Sequence, residues 1–250
     1  MTTAAARRDH DEVLGALRAL ATETGVSPQR GERVRADRRS GYHYLGIATA
    51  ARRRRVAAGF SFTDDTEERV LGSWDGIWNM SDNGDVLFAV LDAYRPKVAK
   101  EPSLVFWRTA QGWIERIDNW AHADDLARLY SYVLEAHRDD VLPTLTTWST
   151  TQSEWHRRVA VVSLVHYSGT NAVFMPIEPC LALIANCVDD PRRSVHQAVG
   201  WVLRETMAVH RPKVIDFLRA NASVMPRPAI RRAIEKLPEE ERDQFLSTLT

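Results

Sequence analysis

Ser153-Glu154-Trp155-His156-Arg157-Arg158-Val159-Ala160-Val161-Val162-Ser163-Leu164-Val165 is the stretch on which the fold class turns. Read alone, its valine-rich half would pass for a buried strand, because a short apolar run carries no periodicity that separates strand from helix. Ser153 is placed as an N-cap, and the segments on both sides are helical in pattern, so a buried helix is favoured. With this stretch helical, no βαβ alternation and no hairpin signal is left.

Outward toward the C-terminus, Pro179 to Val188 is apolar nearly all round and reads as a buried helix. Asp190-Pro191 is suited as an N-cap and N1 pair, opening a helix to about His210. Pro212 starts another, and residues 227–237 and 239–249 are short and amphipathic. Toward the N-terminus, residues 9–24 repeat apolar side chains at helical spacing until Gly25, and a further helix spans Thr49 to Gly59. A run from Asp64 begins with an acidic turn that suits the helix dipole. Asp85 to Tyr94 is helical and stopped by Pro96, Ser103 to Ile117 follows, and Pro143 closes the region. Roughly a dozen helices with brief links predict an all-α fold, an α-α superhelix (solenoid) of HEAT-like pairs of about 40–47 residues each. The expected organisation is one domain over 1–250, with 1–8 flexible. A compact globular helical domain is the architectural alternative.

Formal net charge is zero, so any polyanion site must be a local patch. Only Lys97, Lys100, Lys213 and Lys236 are lysines; the other basic residues are arginines, a bias that codon usage explains as readily as phosphate binding. Cys180 and Cys187 lie inside an apolar run with no CxxC and no histidine at ligand spacing, which reads as two reduced core thiols. The N-terminus runs directly into charged residues, and no stretch approaches membrane-span length. A cytoplasmic protein without a membrane partner is expected.

Three places could carry chemistry. In Ile117-Asp118-Asn119-Trp120-Ala121-His122-Ala123-Asp124-Asp125, Trp120 and Asp124 are four apart and share a helix face. Ala123, Leu126, Ala127, Tyr130, Val133 and Leu134 form the packing arc at about 100° per residue, with Trp120 at its edge and Asp124 further out. Asp118 reads as the N-cap and Asp125 as solvated. In the helix after Asp190, Val195, Ala198, Val199, Val202 and Thr206 share a face, and Trp201 and Arg204 project away from it. Arg157 and Arg158 stand near a helix start, where cations oppose the dipole; an anion, or salt bridges to acids such as Glu154, would relieve that. Arg52-Arg53-Arg54-Arg55 sweeps round a helix, leaving a solvated face and a phosphate patch both open.

Asp118-Asn119-Trp120-Ala121-His122-Ala123-Asp124, Trp155-His156-Arg157-Arg158-Val159-Ala160 and Gln197-Ala198-Val199-Gly200-Trp201-Val202-Leu203-Arg204-Glu205, in this order and spacing, resemble the DNA alkylation repair enzymes of the AlkD type. Tyr44-Leu45-Gly46-Ile47 is similar to that family's early segment, and the likeness covers about residues 10 to 248. Two positions depart: no proline follows Gly46-Ile47, and His122 stands where an apolar residue is commoner.

The resemblance implies a HEAT-like-repeat DNA glycosylase, with a concave DNA-binding surface, that releases positively charged N3- or N7-alkylated purines. It implies that Asp124 is the catalytic carboxylate, that Trp120 and Trp201 contact the lesion deoxyribose, and that Arg158 and Arg204, with Arg157 beside them, contact the DNA backbone. Expected partners are double-stranded DNA carrying alkylated bases, met by a monomer without cofactor or metal. The competing readings are a non-catalytic binder of distorted or branched DNA and a protein-interaction solenoid. A metal site of His122 with Asp118 or Asp125 has helical spacing but too few ligands.

Overall fold

Helix begins at Thr3, inside the segment expected to be flexible, in a computed structural model that describes residues 3–167 and 171–247. The chain divides into two compact units, Met1–Leu129 and Tyr130–Thr250. The first contains α1 (Thr3–Glu23), α2 (Pro28–Arg38), α3 (Thr49–Ala57), α4 (Glu67–Met80), α5 (Gly84–Lys100) and α6 (Leu104–Ala110). A 3-10 turn, Gln111–Arg116, leads on to α7 (Trp120–Ala136), within which the division falls.

Side-chain caps set the starts of α4, α5 and α6. The hydroxyl of Thr66 accepts from Arg69 N at 3.4 Å, with Glu67 and Glu68 in the first turn of α4. Asn83 Oδ1 accepts from Asp85 N at 3.0 Å to open α5, and Ser103 Oγ accepts from Val105 N at 3.1 Å to open α6. The arginine-rich α2 escaped the periodicity reading because its apolar stripe is almost missing; Ser27-Pro28 is the start signal that betrays it. Pro96 does not stop α5, which runs on to Lys100. Proline removes one hydrogen bond, but Val86 to Leu91 and Val98 are all buried, and that packing outweighs the loss.

α1 packs on α4, α3 on α5, and α4 on α5. Their core is aromatic: Trp74, Trp78 and Trp113 are fully buried, and the last two stack with centroids 5.2 Å apart. Buried indole N–H groups need acceptors. Trp78 donates to the Trp113 carbonyl at 3.1 Å and Trp113 to Asp75 at 2.8 Å.

The second unit holds α8 (Arg138–Ser149), α9 (Glu154–Val162), strands β1 (Val165–His166) and β2 (Ala172–Val173), α10 (Ile177–Ala185), α11 (Arg193–Asn221), α12 (Arg227–Ala233) and α13 (Glu239–Ser247). Pro143 lies inside α8 rather than closing the region before it. The deciding stretch is helical as expected, and Ser153 Oγ accepts from His156 N at 3.4 Å. Its end differs: the helix stops at Val162, and Val165 pairs with Val173, and His166 with Ala172, in a small antiparallel hairpin. That corrects the expectation of no hairpin, whose signal was Ser168-Gly169-Thr170 between β-favouring segments. Among the described residues the fold is otherwise all-α. Residues 248 and 249 of the last expected helix lie outside them.

α11 starts at Arg193 with Arg192 as N-cap, not at Asp190. Asp190 instead accepts from Arg192 N at 3.0 Å and binds two guanidiniums, a better use of a carboxylate that is 3% exposed. The helix breaks at His210, φ −122° and ψ 41°, as Pro212 predicted. Cys180 and Cys187 are free and buried, and burial pushes each thiol up to about 12. No helix among the described residues is long and apolar enough to cross a membrane.

Candidate functional site

The N-terminus of α7 is fixed by a hydrogen-bond network that starts with Asn119, not Asp118. Asn119 is fully buried, and its Oδ1 caps the helix by accepting from Ala121 N at 3.0 Å and His122 N at 3.1 Å. An amide can cap and donate together, which a carboxylate cannot. Asn119 Nδ2 donates to Asp118 Oδ1 and to His122 Nδ1, both at 2.7 Å. Asp118 faces backward, accepting from Gly41 N at 2.6 Å and Ser40 Oγ at 2.8 Å.

His122 is fully buried and meets the Gly84 carbonyl through Nε2 at 3.0 Å. A carbonyl only accepts, so Nε2 carries the proton and Nδ1 receives the Asn119 amide. Burial pushes the ring pKa down to about 3, against the Gly84 carbonyl and with help from Arg38, so the imidazole is neutral. It lies on Phe88 at 4.1 Å and stacks on Tyr44 at 6.0 Å. Both nitrogens are thus engaged with protein groups, and the spacing that suggested a metal ligand holds a core histidine.

Tyr44-Leu45-Gly46-Ile47 is the other half of this frame. Leu45 N and Gly46 N donate to Asp85 Oδ2 at 2.8 and 3.0 Å. Gly46 has φ +80°, a conformation that side chains oppose. A Cβ on Gly84 would lie 2.3 Å from the Tyr44 ring, so that glycine lets the tyrosine pass beneath the start of α5. Asp85 Oδ1 is 3.6 Å from Arg52, which is 3% exposed and binds Asp92 at 2.9 Å. The four-arginine run is therefore split by role. Arg52 is a buried strut, Arg53 shares Asp92 at 2.9 Å, and Arg55 donates to the Gly59 carbonyl at 2.9 Å and lies over Phe60. Arg54 is exposed.

What this frame presents is a tryptophan and a carboxylate on one helix face. Trp120 is 47% exposed, an unusual state for a large aromatic, and half-buried Asp124 follows one turn later. The packing arc from Ala123 to Leu134 is fully buried at each predicted position. Asp125 is not solvated as expected: it is half-buried, 3.8 Å from Arg128, and burial raises its pKa against that arginine.

In the second unit, Trp201 is half-buried on α11 and meets Tyr167 edge-to-face with centroids 5.6 Å apart. Gly200 sets the helix close to α12, since a Cβ there would fall 2.6 Å from the Ala229 carbonyl. Tyr167, 37% exposed, was not singled out by sequence; its position at the end of β1 follows from the unrecognised hairpin. The arginines turn inward. Arg157 donates to the Thr151 carbonyl at 2.7 Å and pairs with Asp190 at 3.1 Å, not with Glu154. Arg158, 9% exposed, donates to the Ser194 carbonyl, and Arg204 pairs with Glu205 and Glu235. A phosphate reaching Arg204 would compete with two carboxylates.

The fold and the α7 face define a class: an all-α protein of packed helix pairs that displays a tryptophan one turn before a carboxylate on a rigidly capped helix. The family model of the DNA alkylation repair enzymes matches residues 15–237, and the chain belongs to that family. Solved structures share the fold. A predicted DNA alkylation repair enzyme from Enterococcus faecalis superposes with TM-score 0.70 at 16% identity, over 85% of this chain and 97% of that one. The alkylpurine DNA glycosylase AlkC of Pseudomonas fluorescens, bound to DNA containing an abasic site analog, gives 0.56 at 14% identity over 99% and 66%. AlkD2 from Streptococcus mutans gives 0.50 at 15% identity over 81% and 89%. No curated protein matches the sequence significantly.

Proposed function

We propose that the protein is a monofunctional DNA glycosylase that excises positively charged N3- or N7-alkylated purines from duplex DNA, with Asp124 as its catalytic carboxylate. The observation that carries this reading is the Trp120–Asp124 pair on one face of α7, an exposed ring beside a half-buried acid on a helix whose start is immobilised.

Alkylation at N3 or N7 leaves the purine cationic, so the base departs with the glycosidic electron pair and becomes neutral. No general acid is required. Oxocarbenium character develops on the sugar, as in other glycoside cleavages, and water adds at C1′, losing a proton to give the abasic product. A carboxylate about 4 Å from that carbon contributes on the order of 4 kcal/mol at an effective dielectric near 20, roughly a thousandfold in rate. The Trp120 ring face adds ~0.5–2 kcal/mol of cation–π stabilisation. Trp201, with Tyr167 packed on its edge, is assigned to the same deoxyribose, and Arg158, Arg157 and Arg204 to the backbone, on the family resemblance.

Duplex containing 7-methylguanine tests the assignment. Free base should be released, and Asp124→Asn should lose roughly 99.9% of that rate while DNA affinity is kept. Undiminished release by Asp124→Asn rejects the carboxylate. Binding without release by the unaltered protein turns the assignment toward a non-catalytic DNA binder.

A further inference from the structure

A cavity of about 910 Å³ opens between α3, α5 and the Gly59–Asp64 connection, and none of the residues assigned above to excision lines it. Arg53, Arg54, Arg95 and Lys97 line it, over an apolar floor that includes Phe60 and Trp74. Three guanidiniums converge on one carboxylate at its back: Asp92 is 2.9 Å from Arg52, 2.9 Å from Arg53 and 3.9 Å from Arg95. Asp85 offsets part of Arg52 at 3.6 Å, but its other oxygen is taken by two backbone amides. Of the remaining acids in the lining, Glu12 is held by Ser61 through its amide N, at 2.8 Å, and its hydroxyl, and Asp64 is exposed. Positive charge is in excess here, in a chain whose formal net charge is zero.

Arg95 is the informative residue. Its side chain is 30% exposed, and among the described residues it donates no side-chain hydrogen bond, its one ion-pair contact being the 3.9 Å approach to Asp92. Burial lowers its pKa first and the neighbouring Arg53 lowers it further, so this cation is crowded by like charge. An arginine fork in that state gains most from an oxyanion that accepts two of its donors. The cleft also adjoins the α7 face: Asp125, next to Asp124, feels Arg53, Asp92 and Arg128.

We propose that this cleft is a phosphate site in which Arg95, backed by Arg53 and flanked by Arg54 and Lys97, takes a phosphodiester of the DNA strand. The assignment rests on DNA being the ligand, as proposed above, and it needs none of the inward-turned arginines of the second unit.

The measurement is the salt dependence of binding to lesion-free duplex DNA. Each neutralised phosphate contributes a slope of about −0.9 in log K against log salt. Arg95→Gln removes no hydrogen bond and should fold normally; its slope should be shallower by about 0.9 and its affinity several-fold weaker at low salt. The exposed pair Arg54→Gln/Lys97→Gln should shift the slope in the same direction, and Arg18→Gln on α1 should leave it unchanged. Unaltered slopes in both cleft variants overturn the proposal. If inorganic phosphate or dGMP raises the unfolding temperature only when Arg95 is present, and the slope is unaltered, the site belongs to a free phosphate compound and the DNA assignment is overturned. Excision of 7-methylguanine with an unaltered slope rejects this site alone. A shallower slope in a protein that releases no base rejects the glycosylase reading alone.

Discussion

Asn119 donates its side-chain amide to Nδ1 of His122 across 2.7 Å while its Oδ1 caps the helix that carries His122. One residue thereby sets the start of α7 and the tautomer of the ring beneath it. Asn119→Ser should keep a cap and lose the amide donors. Asn119→Asp should be worse, because a second carboxylate would face Asp118 where the amide now donates at 2.7 Å. Urea unfolding should rank wild type above Asn119→Ser above Asn119→Asp, with the aspartate variant losing about 2–3 kcal/mol.

Protonation of His122 gives a pH signature with a definite sign. The folded ring takes up its second proton only near pH 3, whereas the unfolded ring ionises near its ordinary 6.5. Below pH 6.5 the unfolded state binds the extra proton, so stability falls as pH falls and levels off near 3. The expected loss from this ring is roughly 1.4 kcal/mol per pH unit within that window. His122→Leu should flatten the acid limb of a stability–pH curve measured by urea unfolding. An equally steep limb in that variant places the proton elsewhere.

Trp120 is exposed enough to be removed without disturbing the core. Trp120→Ala should leave the unfolding temperature nearly unchanged and slow base release by about 2- to 30-fold, the range of one cation–π contact. Trp120→Phe should restore part of the rate. A large drop in stability would make the ring a packing residue.

Gly84→Ala tests how Tyr44 is held. The new methyl would sit 2.3 Å from the tyrosine ring, and α5 starts there with ten buried side chains behind it. Neither side yields cheaply, so a loss of about 2–4 kcal/mol is expected. Thermal unfolding measures it, and slower base release should accompany it because Tyr44 supports the His122 ring.

The all-α class, the packing arc of α7 and the buried face of α11 were legible in sequence because helical periodicity is a local signal that tertiary packing reinforced. Starts and stops were less so. Asp118 and Asp190 looked like caps, yet both carboxylates serve distant donors, Gly41 in one case and Arg157 in the other, which no local window contains. Pro96 and Pro143 looked like terminators, and packing overrode them. For the site, four-residue spacing sufficed to place Trp120 with Asp124. The surroundings of the arginines were not legible: Arg157 and Arg204 meet acids far away in the chain, and Arg95 has no distinguishing neighbour in sequence.

Cys180 and Cys187 have a bearing on survival under the conditions in which DNA becomes alkylated. Electrophiles that methylate purines also methylate thiolates, and the thiolate is the reactive form. Both cysteines are buried and pushed up to about 12, so at neutral pH each is held as the thiol. A thiol reagent should modify neither cysteine in the native protein and both after unfolding. The same chemical that damages the proposed substrate should therefore leave both thiols of the native chain unalkylated.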